Sequence, residues 1–208
     1  MQDLLKSLEK LQNTEIANII DSRINEFECF QSASIDEIFK EMCFCIMTAN
    51  CGADKCIEVH EKIGNEFLYL SSEELTSKFR EYGYRYPNVR SQYILEARTC
   101  KEALAEKLNS CIEPNELRDW IVKNIKGLGY KESSHFLRNI GWKDYAIVDF
   151  HIIDILVSNG IIEKPKTLTK NKYLEIEKKL QQIGRVLDLN MAQLDLYLWY
   201  LETGKVLK

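Results

Sequence analysis

Glycine and proline are scarce in this sequence, which contains nine glycines and three prolines in 208 residues. No Gly/Ser-rich tract separates one part of the chain from another, and flexible linkers need that composition. Two small lobes, if present, are therefore expected to share an interface. Long apolar runs are also missing, because stretches such as 42–47 are far shorter than the roughly 20 residues that a bilayer requires. We expect no membrane association.

The sequence also has no secretion signal, and its number of cysteines is not even. The first ten residues alternate charged side chains with leucine and contain no continuous apolar segment. The number of cysteines is seven, and an odd number without a signal peptide favours reduced thiols. We therefore expect an intracellular, cytoplasmic protein without disulfides.

The sequence has no recognisable metal-binding pattern. The cysteines between 43 and 56 contain no CxxC pair, and the three histidines, at 60, 135 and 151, do not have ligand spacing. We expect buried or idle thiols here rather than metal ligands.

An excess of basic residues is also lacking, since the formal net charge is −4. Many nucleic-acid binders are basic, but binding faces are local. Basic residues outnumber acidic ones between 164 and 185, and again between 85 and 101. Nucleic-acid binding is therefore not excluded.

Helical spacing recurs along the whole chain, whereas strand alternation is almost absent, so the predicted fold is all-α. Two Ser-x-x-Glu segments, Ser34 with Glu37 and Ser71 with Glu74, predict capping boxes. Further helix starts are predicted near Lys55, after Pro87, after Pro114, near Lys131, at Asp149, near Asn171 and at Asn190. Glycines that should end helices stand at 64, 141, 160, 184 and 204.

The most specific segment, 117–141, predicts two helices joined by a tight turn made of Gly127, Leu128 and Gly129. Two glycines around an apolar residue can expose consecutive backbone N–H groups beside a helix N-terminus, which suits a phosphate. Such a turn could hold one DNA strand without reading its sequence. The alternative is an ordinary helix–helix turn in which the glycines only relieve steric crowding.

Asp149 directly follows an apolar stretch and directly precedes a predicted helix. A capping role alone would explain this residue. The combination is more informative, because Lys131 lies two residues after the Gly-Leu-Gly turn and Asp149 eighteen residues after Lys131.

This combination resembles the helix-hairpin-helix DNA glycosylase superfamily, whose members with a lysine at this place are glycosylase/lyases. The segments Ile125–Asn139 and Leu194–Lys208 are similar to the compact, archaeal-type 8-oxoguanine DNA glycosylases. That resemblance covers nearly the whole chain. It implies two helical lobes with a DNA-binding cleft between them, a central lobe at 34–144 and a second lobe formed by 1–33 and 145–208.

The resemblance implies a mechanism in which the damaged base is flipped out of the duplex. Lys131 attacks C1′ as a neutral amine, which a helix start and partial burial favour, and the resulting Schiff base allows β-elimination. Asp149 is the electrostatic partner of the developing sugar cation. The alternative for Lys131 is an ordinary solvated lysine.

The resemblance also implies contacts to the gap in the duplex and to the orphaned base, through Asn50, Lys55, Tyr84 and Arg85. Lys55 stands where the larger, human-type enzymes have an arginine, and lysine lacks the planar guanidinium group that favours a bidentate contact. The alternative for all four residues is ordinary surface polarity.

For the base pocket the resemblance implies His135 and Trp199 as stacking partners, and the terminal carboxylate of Lys208 as acceptor for N7–H of the lesion. Normal guanine lacks this donor, so the contact would discriminate against it. Trp199 could equally be part of the core, because leucines share its helix.

The partner implied is double-stranded DNA containing 8-oxoguanine, bound by a monomer that in a prokaryote would be associated with the nucleoid. No cofactor is implied. An iron–sulfur cluster is not expected, because the related endonuclease III-type enzymes hold it with four cysteines near the C-terminus and this chain has none beyond Cys111.

Two other functions stay open at this point. One is a helix-hairpin-helix glycosylase for an oxidised pyrimidine or an alkylated purine. The other is a non-enzymatic helix-hairpin-helix DNA-binding module, which would not need the pair of Lys131 and Asp149.

Overall fold

The fold is all-helical in the computed structural model, which describes residues 1–110 and 113–208. Over these residues there are twelve α-helices, two short 3-10 helices (Phe30–Ser32 and Gly64–Leu68) and no strand, so the predicted fold class is confirmed. The α-helices are α1 (Gln2–Gln12), α2 (Glu15–Cys29), α3 (Ile35–Thr48), α4 (Ala53–Ile63), α5 (Ser72–Glu81), α6 (Pro87–Thr99), α7 (Lys101–Asn109), α8 (Pro114–Asn124), α9 (Tyr130–Asn139), α10 (Phe150–Ser158), α11 (Lys170–Leu187) and α12 (Met191–Thr203).

The predicted helix starts differ in how completely they are capped. At α5, the Ser71 side chain accepts from Glu74 N and the Glu74 carboxylate accepts from Ser71 N, which is the full capping box. At α3, the Ser34 hydroxyl accepts from Glu37 N, but the Glu37 carboxylate pairs with Lys40 Nζ at 2.7 Å. The Glu37 carboxylate, which the predicted capping box needs at the start of α3, is therefore paired with the ammonium group of Lys40 instead.

The predicted stops are confirmed where the glycine adopts a positive φ at the end of a helix. Gly64 and Gly204 do so directly after α4 and α12, with φ of 53° and 69°. Gly141 and Gly160 do so two positions after the last residues of α9 and α10, with φ of 94° and 65°. The prediction for Gly184 is wrong, because α11 continues to Leu187 and ends at a left-handed Asp188 instead.

Gly184 lies within α11 and does not end it. Glycine is needed there because residues that follow the helix pack closely against this position. A Cβ at this position would lie 2.5 Å from Met191 Cε and 2.7 Å from Leu189 O. Such contacts are not tolerated, so the helix surface must be bare here.

Three helices, α1, α2 and α7, were not assigned a start from the sequence. The second has a conventional cap, since the Thr14 side chain accepts from Ile16 N at 3.3 Å. The other two begin without a side-chain cap hydrogen bond. Helices of this kind give no local start signal and are stabilised by tertiary packing.

The chain divides into two compact units, and the division falls within α9. We call residues 32–136 the central unit, and residues 1–31 with 137–208 the terminal unit. The lobe boundaries expected from the sequence, 34–144 and 1–33 with 145–208, stay a prediction, because a compact unit is not thereby an independently folding domain.

The two units have separate buried cores. The central unit is built on α3, in which every residue from Glu41 to Thr48 is buried. Phe67 and Phe79 are also buried, with ring centroids 6.3 Å apart. The core of the terminal unit contains Leu8, Ile20, Leu156, Tyr173 and Ile176.

No described helix combines the length and the apolar character needed to cross a membrane.

Candidate functional site

The Gly-Leu-Gly turn joins α8 to α9 in the central unit, as the sequence predicts. Gly127 has φ of +92°, and a Cβ there would lie 2.6 Å from Cδ2 of Tyr93. Leu128 is buried. Gly129 O accepts from Ser133 N at 2.9 Å, which starts the hydrogen-bond ladder of α9. Backbone N–H groups at such a helix start have no partner within the helix.

A buried arginine ties the two helices of the hairpin together. Arg118 on α8 is 1% exposed; its Nη1 donates to Ser134 Oγ on α9 at 3.1 Å, and its guanidinium lies 5.3 Å from the centre of the Tyr130 ring. The Tyr130 hydroxyl in turn donates to the Asp119 carboxylate. Arg118 could not be predicted from the sequence, because nothing in its spacing distinguishes a buried arginine from an exposed one.

Lys131 is the second residue of α9, directly after the turn. Its side chain is about a quarter exposed, and Nζ lies 4.0 Å from Glu132 Oε1. Burial raises the pKa of Cys56 and the neighbouring Cys51 raises it further, whereas the charges of Lys131 and Arg90 oppose this. The Cys56 thiol is therefore kept neutral.

His135 lies one helical turn after Lys131 and is 8% exposed. Its ring meets Phe44 edge to face, with centroids 5.8 Å apart. Phe44 makes a similar contact with His60 at 5.6 Å. The central unit thus holds His135 against an aromatic cluster that fixes the orientation of its ring.

Asn50 and Arg85, two of the residues expected at the gap in the duplex, contact each other at the loop between α3 and α4. Asn50 adopts a left-handed conformation with φ of 59°, and its carbonyl accepts from Arg85 Nη1 at 3.3 Å. Both side chains are exposed. Asparagine is among the few residues that adopt this conformation readily. Lys55 lies near the chain segment before Arg85, since a Cβ at Gly83 would be 3.8 Å from Lys55 Cε. Lys55 Nζ also pairs with the Glu58 carboxylate at 3.0 Å.

Tyr84 differs from these three because it is buried. It is 4% exposed, its hydroxyl donates to Met47 O at 2.7 Å, and burial raises its pKa. Arg90, which no sequence pattern marks as part of this loop, donates from Nη2 to Ala49 O at 3.0 Å. Both side chains therefore hold the backbone that leads into Asn50, and Tyr84 has little surface left for a direct contact.

Asp149 caps α10 in the terminal unit, as predicted. Its backbone is extended, and Oδ1 accepts from Ile152 N at 3.0 Å. The four residues before it, 145–148, have no regular secondary structure although they are buried. The carboxylate therefore stands where a buried extended segment turns into a helix.

Trp199 on α12 is half-buried and meets the ring of His151 edge to face, with centroids 5.0 Å apart. Its Nε1 is buried and has no hydrogen-bond partner among the described residues. His151 also approaches Glu202, with Nδ1 3.6 Å from Oε1. Its ring is tilted by 36° against that of the exposed Phe150, with centroids 3.9 Å apart. Trp199 is thus neither a fully enclosed core residue nor an exposed one.

The chain changes direction after α12. Gly204 is left-handed, and the Thr203 hydroxyl accepts from Lys205 N at 3.3 Å. Lys208 is partly buried. The structure thus places Asp149, Trp199 and Lys208 in the terminal unit, and Lys131, His135, the Gly-Leu-Gly turn, Asn50, Lys55, Tyr84 and Arg85 in the central unit.

The described residues contain no group of three or more His, Cys, Asp or Glu side chains that could hold a metal ion. Cys111, the last cysteine in the sequence, lies outside the described residues.

Comparison with protein families decides the class of the chain. The family described as 8-oxoguanine DNA glycosylase matches residues 20–189. The chain belongs to this family. The match includes the hairpin, Lys131 and Asp149, and ends before Trp199 and Lys208.

Relatives of this 8-oxoguanine DNA glycosylase family member extend the likeness to the whole chain. The 8-oxoguanine DNA glycosylase/AP lyase of Korarchaeum cryptofilum is 46% identical over 209 residues, covering 100% of this chain and 99% of its own. The predicted enzyme class, a DNA glycosylase with AP lyase activity, is confirmed at this level.

Solved structures of the family have the same fold. The Methanocaldococcus jannaschii 8-oxoguanine glycosylase/lyase, in complex with a 15mer DNA containing 8-oxoguanine, matches with a TM-score of 0.95 at 48% identity and 99% coverage of both chains. The Thermotoga maritima 8-oxoguanine DNA glycosylase matches with a TM-score of 0.93 at 38% identity, covering 100% of this chain and 99% of its own. The predicted helix-hairpin-helix glycosylase fold is thereby confirmed.

Proposed function

We propose that this chain removes 8-oxoguanine from double-stranded DNA and then cleaves the strand at the abasic site through a Schiff base on Lys131. One observation carries the proposal: a primary amine stands at the second position of α9, immediately after a Gly-Leu-Gly turn, in a member of the 8-oxoguanine DNA glycosylase family. A phosphate-binding turn needs no amine there, whereas a lyase does.

Lys131 is the proposed nucleophile. Its neutral amine attacks C1′ of the flipped nucleotide, the bond from C1′ to N9 breaks, and the base leaves with the electron pair and takes up a proton. Opening of the sugar then gives a Schiff base between Nζ and C1′. Loss of a proton from C2′ expels the 3′ phosphate by β-elimination and nicks the strand.

Asp149 is proposed to stabilise the positive charge that develops on the sugar as the base leaves. Only one of its oxygens is needed for the cap to Ile152 N, so the carboxylate can cap α10 and still present its charge to the sugar. A fixed charge of this kind stabilises a transition state without reorganisation.

The hairpin is proposed to bind the DNA backbone. The turn at Gly127, Leu128 and Gly129 brings backbone N–H groups to the start of α9, where the helix dipole also favours a phosphate. These contacts carry no base information and fix the register of the strand.

The lesion itself is proposed to contact His135, Trp199 and the carboxylate of Lys208. The partly buried indole of Trp199 and the oriented imidazole of His135 offer ring faces or edges for a purine. The carboxylate supplies the acceptor for N7–H, by which 8-oxoguanine differs from guanine.

Asn50, Lys55 and Arg85 are proposed to contact the gap that the flipped base leaves in the duplex and the orphaned base opposite it. Tyr84 is proposed to support the backbone that positions Asn50. The support is the hydrogen bond from Tyr84 to Met47 O, three residues before Asn50. Since Lys55 has one ammonium group, its contribution is a single charged contact rather than a bidentate one.

The remaining parts of the proposal concern the setting of the enzyme. We propose that it acts as a monomer on double-stranded DNA, without a cofactor or an iron–sulfur cluster, inside the cell. A search for bound iron and the molar mass in solution test these points.

The substrate is tested with end-labelled duplexes that carry 8-oxoguanine, thymine glycol, uracil or undamaged guanine at one position. The expected result is excision and nicking at 8-oxoguanine only. Faster excision of thymine glycol would support an enzyme for oxidised pyrimidines, and binding without excision of any base would support a non-enzymatic DNA-binding module.

A further inference from the structure

The segment that leads into Asp149 is buried but irregular. Each residue from Tyr145 to Val148 is at most 7% exposed, and none of them belongs to a helix. Buried backbone N–H and C=O groups must be paired, and an irregular segment cannot pair them within itself. The partners that fix this segment therefore have to come from elsewhere in the terminal unit.

Two side chains of α11 supply these partners. The Tyr173 hydroxyl accepts from Val148 N at 3.1 Å and donates to Ala146 O at 2.7 Å. Glu177 Oε1 accepts from Ala146 N at 3.0 Å. The two side chains are four residues apart, so they lie on the same face of the helix. Together they provide hydrogen-bond partners for three backbone groups of the segment, which are the N–H and C=O of Ala146 and the N–H of Val148.

We propose that Tyr173 and Glu177 are positioning residues for Asp149, which they hold in place through the segment 145–148. The proposal rests on the proposed role of Asp149 in the reaction. Val148 directly precedes Asp149, so the hydrogen bond to Tyr173 fixes the backbone one residue upstream of the carboxylate. The cap to Ile152 N fixes the same carboxylate from the downstream side.

Neither residue is placed to act on DNA itself. Tyr173 is 2% exposed and Glu177 is 5% exposed, so both are enclosed. An effect of either side chain on the reaction must therefore pass through the backbone that it holds. Small displacements are enough, because a shift of about 1 Å in a catalytic group can cost about a hundredfold in rate.

The test begins with Tyr173→Phe, which keeps the ring and removes both hydrogen bonds. We expect the single-turnover rate of 8-oxoguanine excision to fall by about ten- to a hundredfold, with the affinity for a duplex containing an abasic-site analogue unchanged within about twofold. Tyr197→Phe is the matched control, because it removes the same atom from another buried tyrosine of the terminal unit.

A comparison at Glu177 provides a rescue test. Glu177→Gln retains an oxygen that can accept from Ala146 N, whereas Glu177→Leu does not. We expect the glutamine variant to keep most of the excision rate and the leucine variant to lose it. Equal loss in both, or a loss in Tyr173→Phe that only follows a fall in thermal stability and is matched by Tyr197→Phe, would overturn the proposal.

A double-mutant cycle separates the failure of this proposal from the failure of the role given to Asp149. If Tyr173 acts through Asp149, Tyr173→Phe should slow excision in the wild-type background but have little further effect on Asp149→Asn. Equal effects in the two backgrounds would contradict positioning. If Asp149→Asn alone leaves the rate unchanged, the proposed role of Asp149 fails first.

Discussion

Asp149 illustrates how one residue can serve the fold and the chemistry together. The cap to Ile152 N requires only an oxygen acceptor at this place, and asparagine caps helices about as well as aspartate does. The proposed effect on the sugar cation requires a negative charge. A substitution that removes the charge but keeps the acceptor therefore separates the two roles.

Asp149→Asn is predicted to leave stability nearly unchanged while excision falls by about two to three orders of magnitude, as for removal of a preorganised electrostatic contact. Thermal unfolding and single-turnover excision of 8-oxoguanine measure the two effects. Asp149→Ala serves as the control, because it loses the cap as well and should cost about 1 kcal/mol of stability. Unchanged turnover in the asparagine variant would leave Asp149 with a purely structural role.

At the scale of elements, the hairpin depends on backbone geometry that only glycine provides. Gly127 combines a positive φ with a close approach to Tyr93. A side chain at this position is unfavourable on both counts, and the turn could relax only by moving the start of α9. Lys131 stands on that first turn, so hairpin geometry and the position of the amine are linked.

Gly127→Ala is predicted to destabilise the protein by about 1–3 kcal/mol, the cost of a strained backbone conformation, with the Tyr93 contact added. It should also weaken binding to undamaged duplex DNA. Denaturant unfolding and fluorescence anisotropy measure the two changes.

Gly160→Ala is the matched control, because Gly160 has a positive φ of 65° but nothing within 4 Å of the added Cβ. This variant should show the backbone strain alone and bind DNA normally. An equal loss of DNA affinity in both variants would mean that the hairpin has no special part in binding.

The elements differ in how far the sequence could predict them. Ser71, Asp149 and Asn190 cap helices through contacts within three residues, so local patterns were sufficient. The predicted helix stop at Gly184 is wrong, because Met191, which packs against this glycine, belongs to the next helix. Only tertiary packing distinguishes it from a helix stop.

The same limit applies to the site. Lys131 and Asp149 are predicted because the segment that contains them resembles a known family. Arg118 and Tyr173 could not be predicted, since their partners lie 16 to 27 residues away and have no fixed spacing. Residues that support a site across long sequence distances leave no local pattern.

At the scale of the whole molecule, the charge of −4 shows that attraction to DNA has to be local. In the central unit, Arg85 contacts Asn50, and Lys55 lies close to Gly83, two residues before Arg85. Recognition of the damaged base is a separate matter, because it requires polar groups inside a pocket rather than a basic surface. The proposed carboxylate of Lys208 is of this second kind.

Extension of the chain beyond Lys208 is predicted to slow 8-oxoguanine excision by about one to two orders of magnitude, equivalent to the roughly 1.5–3 kcal/mol of a charge-assisted hydrogen bond. Binding to an abasic-site analogue should change much less, because that analogue has no base. Excision rates of extended and unextended protein, measured side by side, decide the point. Equal rates would return Lys208 to an ordinary surface role.

The most direct test of the account is borohydride trapping on an 8-oxoguanine duplex, followed by mass spectrometry of the cross-linked peptide. A Schiff base is the one intermediate that requires a primary amine, and reduction makes it permanent. The account predicts a covalent complex through Lys131 that Lys131→Gln abolishes without loss of DNA binding. A cross-link at another amine, or undiminished trapping by the glutamine variant, would contradict it.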